Sequence, residues 1–194
     1  MAHVIWITGL SAAGKTSTAE TAVEQLRAEG EVAVLLDGDA VRDIVRDVGT
    51  GHDRESRLAN AHRICRLAHF IAKQEFIVVV ATMSLFHEIH QWNRDNLPGY
   101  FEVLIEAELE TLRARDIKGL YDGVDANEVR NVGGMDLDVE FPANPDLVLN
   151  NDRTTKDRRQ LAAAMLKAFR NAAGPRLSGD QSELGQTANA GSGR

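Results

Sequence analysis

Cysteine is nearly absent. Cys65 is the single one in 194 residues, which excludes an intramolecular disulfide and any metal cluster built on cysteine. It falls in a helical apolar stripe and reads as a small buried hydrophobe. No apolar run approaches the length of a membrane span, and the start shows no charged-then-apolar leader. The chain is therefore expected to be cytoplasmic, without a membrane partner. Positive charge is also in deficit: 22 Lys and Arg stand against 29 Asp and Glu, a formal net charge of −7. A nucleic-acid binder needs a basic surface that this balance does not supply. An acidic protein can still grip an anionic nucleotide, because such a grip is local. Internal repeats are missing too. At 43% apolar residues the chain can bury a real core, and its length suits one domain with a lid and a tail.

What is present begins at residue 9. Gly9-Leu10-Ser11-Ala12-Ala13-Gly14-Lys15-Thr16 spells the phosphate-binding pattern G-x-x-x-x-G-K-[ST]. The apolar run Val4 to Thr8 precedes it as a strand. Ala19, Ala22, Val23 and Leu26 follow at helical spacing, so the motif lies between a buried strand and a helix N-terminus. Its glycines let the backbone wrap a phosphate chain, and the helix dipole adds partial positive charge. Lys15 can reach the outer phosphates, and the Thr16 hydroxyl can ligate Mg²⁺.

Further apolar runs read as strands: Val32 to Leu36, Phe76 to Ala81, Phe101 to Ile105, and Leu147 to Leu149. Continuous apolar character suits strands covered on both faces. Between them a helix is expected over about Glu55 to Gln74, with Leu58, Ala61, Ile64, Cys65, Ala68, Ile71 and Ala72 inward. A last helix is expected over about Lys156 to Ala173, with Leu161, Ala164, Met165 and Ala168 inward. Strands alternating with helices imply a parallel sheet between helical layers, with ligands at the strands' C-terminal edge. Lys118 to Pro145 holds many glycines and little periodicity, so it reads as an active-site lid. Leu177 to Arg194 is rich in Ser, Gly, Gln and Asn and reads as a disordered tail. The domain is thus placed at residues 1–175, its lid at about 115–145, and the tail at 176–194.

Strand two ends in Asp37-Gly38-Asp39, with Arg42 next. Alone this is an Asp-Gly turn with solvated charges. Beside a phosphate loop, one carboxylate can take a proton from an attacking hydroxyl and the other can bind Mg²⁺. Arg57, Asn60 and Arg63 recur every three residues on the long helix. A solvated polar face is the ordinary explanation, while arginine also binds phosphate or sulfate in bidentate fashion and asparagine can hold a ribose hydroxyl. His62, His69, His87 and His90 do not form a zinc pattern. Trp92 and Tyr100 read as packing residues.

These motifs together resemble adenylyl-sulfate kinase. The carriers are the loop, Asp37-Gly38-Asp39-x-x-Arg42, Arg57-x-x-Asn60-x-x-Arg63, and Arg115-Asp116-x-Lys118-Gly119-Leu120-Tyr121. Gly134-Met135-Asp136 and Glu140-x-Pro142-x-x-Pro145 complete the match, which spans roughly residues 3 to 152. The resemblance implies a P-loop kinase fold, a three-layer α/β sandwich with a parallel five-stranded sheet, helices on both faces and a lid. It implies ATP-dependent, Mg²⁺-assisted transfer of a phosphoryl group to the ribose 3′-hydroxyl of a small nucleotide acceptor, and a homodimer. ATP would lie on Gly9 to Thr16, Ser17 and Arg115. Asp39 matches the proposed base, with Asp37 assisting and joining Thr16 at the metal. Arg42, Arg57, Asn60 and Gly133 match acceptor-binding positions. Lys118 would neutralise the transferring phosphate, and Ser84 matches a serine described in the family as a phosphorylated intermediate, which in-line transfer does not need.

The departures concern the acceptor. The family holds the acceptor's adenine between two phenylalanines, where this chain has His52 and Val132. The family's Ser-Pro-Tyr-Arg is here Ser84-Leu85-Phe86-His87. Losing both aromatic faces removes about 1–3 kcal/mol of stacking per base. The stretch Ala81 to Phe86, with Trp92-Asn93-Arg94, resembles a branch that acts on cytidine diphosphoramidate. Adenylyl sulfate is the leading acceptor by family breadth, cytidine diphosphoramidate the alternative, and an ATP-binding regulator without catalysis the reading of another class.

Overall fold

The computed structural model describes residues 3–45, 51–152 and 158–174. The tail expected at 176–194 and the start of the last helix lie outside them. In chain order the elements are β1 (His3–Thr8), α1 (Lys15–Ala28), β2 (Ala33–Asp37), α2 (Gly38–Ile44), α3 (Arg54–Ala72) and β3 (Ile77–Ala81). Then follow α4 (His87–Asn96), β4 (Tyr100–Glu106), α5 (Leu109–Ala114), α6 (Leu120–Asp125), β5 (Leu147–Asn150) and α7 (Arg158–Ala173). Each apolar run named from the sequence forms its strand, with ends shifted by a residue or so.

The five strands form one sheet in the order β2-β3-β1-β4-β5, and every pairing is parallel. Parallel strands need crossovers, and helices supply them on both faces. Strand alternation divides the core accordingly. Ile5, Ile7, Val79, Val103 and Ile105 face one layer with Ala22 and Leu26 of α1 and Met165, Leu166 and Phe169 of α7. Val4, Trp6, Val78 and Val80 face the other with Ile64, Cys65 and Ala68 of α3 and Ile89 of α4. This is the expected three-layer α/β sandwich.

The stripe of α7 differs from the expected one. Ala164 is exposed, while Ala162, Leu166 and Phe169 are buried. The larger Leu166 and Phe169 remove more apolar surface from water than Ala164 would, and they set the helix's rotation. Cys65 is buried as expected, and desolvation pushes its thiol pKa up to about 12. Trp92 and Tyr100 pack beside the second core layer.

One strand carries a charge inward. Glu102 of β4 is 2% exposed. Its carboxylate accepts from the Tyr100 hydroxyl at 2.7 Å and Arg94 Nη2 at 3.2 Å, and pairs with His90 Nδ1 at 2.7 Å. Desolvation acts to raise its pKa, but the His90 and Tyr100 hydrogen bonds and the charges of His90 and Arg94 outweigh it and hold the carboxyl below its usual range. A buried carboxylate persists only with such partners.

The connection leaving β1 runs toward one edge of the sheet, to β2, while that leaving its neighbour β4 runs toward the other, to β5. Ligands bind outside the C-terminal ends of strands at such a switch point. The loops leaving β1, β2 and β3 all open on that edge.

Candidate active site

The loop after β1 is shaped by close approach. A Cβ on Gly9 would run into the Ile105 carbonyl oxygen, and one on Gly14 would lie 2.7 Å from Asn151 Nδ2. Gly14, with φ 97, caps α1 without a side-chain hydrogen bond. The first N–H groups of α1 therefore remain available to an anion. Ala12 takes φ 61, a left-handed conformation costing a non-glycine residue roughly 1–2 kcal/mol. Such strain is characteristic of ligand-binding loops. Lys15 Nζ donates to the Leu10 carbonyl at 2.7 Å. Its side chain is half-buried by area, but its ammonium sits inside the loop, where desolvation lowers its pKa to about 8; Asp39 and Asp37 oppose the shift.

Asp37 closes β2 and caps α2: its Oδ1 accepts from the N–H groups of Asp39, at 2.9 Å, and Ala40, at 3.1 Å. Its other oxygen accepts from Thr16 Oγ1 at 2.8 Å. A hydroxyl and a carboxylate are thus adjacent at the loop, a hard-oxygen donor set that fits Mg²⁺. Gly38 is required between the two aspartates, since a Cβ there would lie 2.8 Å from Thr82 Oγ1.

Asp39 points across the cleft. Lys118, from the segment expected to form a lid, donates to its Oδ2 at 2.7 Å. Desolvation acts to raise the Asp39 pKa, but the Lys118 hydrogen bond and charge, with Arg42 and Lys15, outweigh it and leave it lowered. The segment expected to form a lid is less irregular than its composition suggested: Gly119, with φ 64, starts helix α6 directly after Lys118.

Across from the loop, Arg57 acts as a clasp. Its Nε donates to the His52 carbonyl at 2.7 Å and its Nη2 to the Asn131 carbonyl at 2.8 Å. His52 and Asn131, the neighbour of Val132, are thereby tied to one guanidinium. Arg42 Nη1 lies 3.3 Å from His52 Nδ1. Desolvation, then Arg42 and Arg57, lower the His52 pKa, against Asp39 and Asp53. Asn60 is 3% exposed, not on a solvated face, and its Oδ1 has no partner among the described residues. An unpaired buried acceptor facing a cleft suits a ligand hydroxyl or amine.

These groups line one cleft of about 880 Å³, which holds Ser11, Ala12, Gly14, Lys15, Thr16, Ser17, Asp37, Asp39, Arg42, His52, Arg57, Asn60, Ser84, Arg115, Lys118 and Val132. Gly9, Leu10, Ala13 and Gly133 do not line it. Gly133 instead backs the wall, where a Cβ would lie 2.9 Å from Met83 Cε. Ser84 is 7% exposed, with its hydroxyl 2.9 Å from that of Thr82. Arg115 donates to the Asn151 carbonyl at 2.7 Å, and Asn151 Nδ2 to the Ala13 carbonyl at 2.9 Å. Thr82 and Asn151 are site residues that sequence reasoning missed. Each sits beyond a strand end, a position that could have flagged it. His62 pairs with Glu88 and His69 with the Asn96 carbonyl, while His87 and His90 both reach the Glu140–Phe141 backbone, and no group of three metal-ligating side chains occurs among the described residues. No helix of the described residues is long and apolar enough to cross a membrane.

Comparison with known proteins finds relatives along most of the chain. A cytidine diphosphoramidate kinase of Campylobacter jejuni is 37% identical over 149 residues, covering 77% of this chain and 86% of that protein. An adenylyl-sulfate kinase of Deinococcus deserti is 41% identical over 151 residues, covering 78% and 83%. Among solved structures, the APS kinase CysC of Mycobacterium tuberculosis in complex with AMPPNP and APS superposes with a TM-score of 0.78 at 29% identity, covering 87% of this chain and 97% of that one. The family model for adenylylsulphate kinase matches residues 1–150. The loop, Asp37, Asp39 and Lys118 lie in one cleft, and by the family match over residues 1–150 the chain belongs to the adenylylsulphate kinase family.

Proposed function

We propose that this chain transfers the γ-phosphoryl group of ATP to the ribose 3′-hydroxyl of a nucleotide, with adenylyl sulfate as the acceptor. The observation that carries the reading is the 2.7 Å contact of Lys118 with Asp39 at the mouth of the phosphate loop. The triphosphate would take the loop N–H groups, and Lys15 would leave the Leu10 carbonyl for the outer phosphates. Thr16 and Asp37 would hold Mg²⁺, which lowers the charge on the phosphates when bound. Asp39 accepts the 3′-hydroxyl proton as that oxygen bonds to the γ-phosphorus and the bond to the bridging oxygen breaks, releasing ADP. In the free enzyme Lys118 masks Asp39. The transferring phosphate draws the lysine away and leaves the carboxylate free to act. Retention of Lys15, Asp39 and Lys118 speaks against a regulator without catalysis.

A second acceptor, cytidine diphosphoramidate, is favoured by one specific feature. The base wall presents His52 and a Val132 that is 3% exposed, and His87 turns from the cleft to the Phe141 carbonyl at 3.0 Å. This wall offers less stacking face than an adenine clamp. ADP release measured with each acceptor at saturating ATP and Mg²⁺ tests both. Turnover of adenylyl sulfate supports the first reading, turnover of only the cytidine nucleotide replaces it with the second, and ATP binding without transfer to either refutes the kinase.

A further inference from the structure

Lys118 is 66% exposed along its side chain, so beyond its contact with Asp39 its position depends on the backbone that carries it. That backbone is held at one buried point. Tyr121, three residues on, is 1% exposed and packs with Leu112 and Val132 in the core layer of α1. Its hydroxyl donates to the Ser11 carbonyl of the phosphate loop at 3.0 Å, and its N–H donates to Asp116 Oδ2 at 2.8 Å. Burial, then the Asp116 charge, raise the phenol pKa to about 12, so the hydroxyl stays a donor. A second contact lies nearby: a Cβ on Gly134 of the lid would come 3.0 Å from Leu10 Cδ2.

We propose that the Tyr121–Ser11 hydrogen bond is a positioning tether that fixes the reach of Lys118 relative to the phosphate loop. The loop holds the phosphate and the lid holds the lysine, and the tether makes them one rigid reference. Phosphoryl transfer is sensitive to such distances, since a displacement of roughly 1 Å can cost about 100-fold in rate. Tyr121 touches no reacting atom and acts through Lys118. The proposal rests on the role given to Lys118 above.

The test is a double-mutant cycle on the full chain with Tyr121→Phe, Lys118→Ala and both together. Tyr121→Phe keeps the buried ring and removes one hydrogen bond. It is expected to lower kcat about three- to tenfold, with the acceptor KM unchanged. In the Lys118→Ala background the same change should lower kcat no further. Equal losses in both backgrounds, or an unchanged kcat, overturn the tether. A merely structural tyrosine would lower Tm without this non-additivity. Hydrogen exchange with an ATP analogue bound gives a readout independent of turnover. Tyr121→Phe should speed exchange in residues 118–125, and an unchanged pattern overturns the proposal. If Lys118→Ala leaves transfer intact, the role of Lys118 fails, and the tether stands or falls on exchange alone.

Discussion

Asp39→Asn separates catalysis from stability in this cleft. The substitution keeps size and shape and removes the charge that Lys118 meets at 2.7 Å. The two side chains are 68% and 66% exposed, and ion pairs so open to water contribute about 0–1 kcal/mol. For a domain of this length that corresponds to a change in Tm of no more than about 4 °C. The catalytic effect should be far larger, since loss of a positioned general base costs roughly 100- to 10,000-fold. The KM for ATP should barely move, because in the proposed mechanism the loop and Lys15, not Asp39, hold the triphosphate. Steady-state kinetics and a thermal melt on the same preparation are sufficient. A kcat within a factor of three of wild type would remove Asp39 from the base role. A fall in Tm on the order of 10 °C would show that the pair supports the fold, contrary to its exposure.

Lys15 should make ATP binding pH-dependent. Its pKa is lowered from 10.5 to about 8 in the free protein, and bound phosphates should raise it again. Binding should therefore weaken as pH rises through about 8, with proton uptake in calorimetry across buffers of different ionisation enthalpy; no uptake near pH 8 would contradict this. The same shift means the unfolded chain holds the extra proton between about pH 8 and 10.5, so this group's contribution to stability rises with pH across that window. Arg57→Lys cannot span the His52 and Asn131 carbonyls with a single ammonium, so acceptor KM should rise about tenfold or more with ATP KM unchanged. Glu102→Gln leaves His90 and Arg94 without their buried anion. It should cost about 3 kcal/mol, read as a fall in Tm of about 6–12 °C, with kcat of the remaining folded enzyme preserved.

The phosphate loop was legible because its chemistry is contiguous: eight residues, a strand before and a helix after. The strands were legible for a related reason, as burial on both faces makes them uniformly apolar. Ala164 was misplaced because an alanine fits either side of a helix stripe, and only packing of Leu166 and Phe169 against the sheet decides the rotation. Asn60 was ambiguous because spacing cannot tell a buried polar group from a solvated one. The inward Glu102 broke the strand's apolar pattern, and its partners at 90, 94 and 100 offered no local signal of a network. In the sequence Tyr121 is only one position of a motif, because its partner Ser11 lies 110 residues away and nothing local links them. The sequence presents Arg57 only as a candidate ligand group, and its role as a clasp has no local signal, since the carbonyls it holds come from separate loops.

The most direct measurement is the structure of the product. The protein is incubated with ATP, Mg²⁺ and each acceptor in turn, and the nucleotide is examined by mass spectrometry and phosphorus NMR. The account expects one added phosphate, on the ribose 3′-oxygen, in at least one of the two nucleotides. Release of inorganic phosphate with both nucleotides unchanged, or a phosphate at any other position, would contradict it.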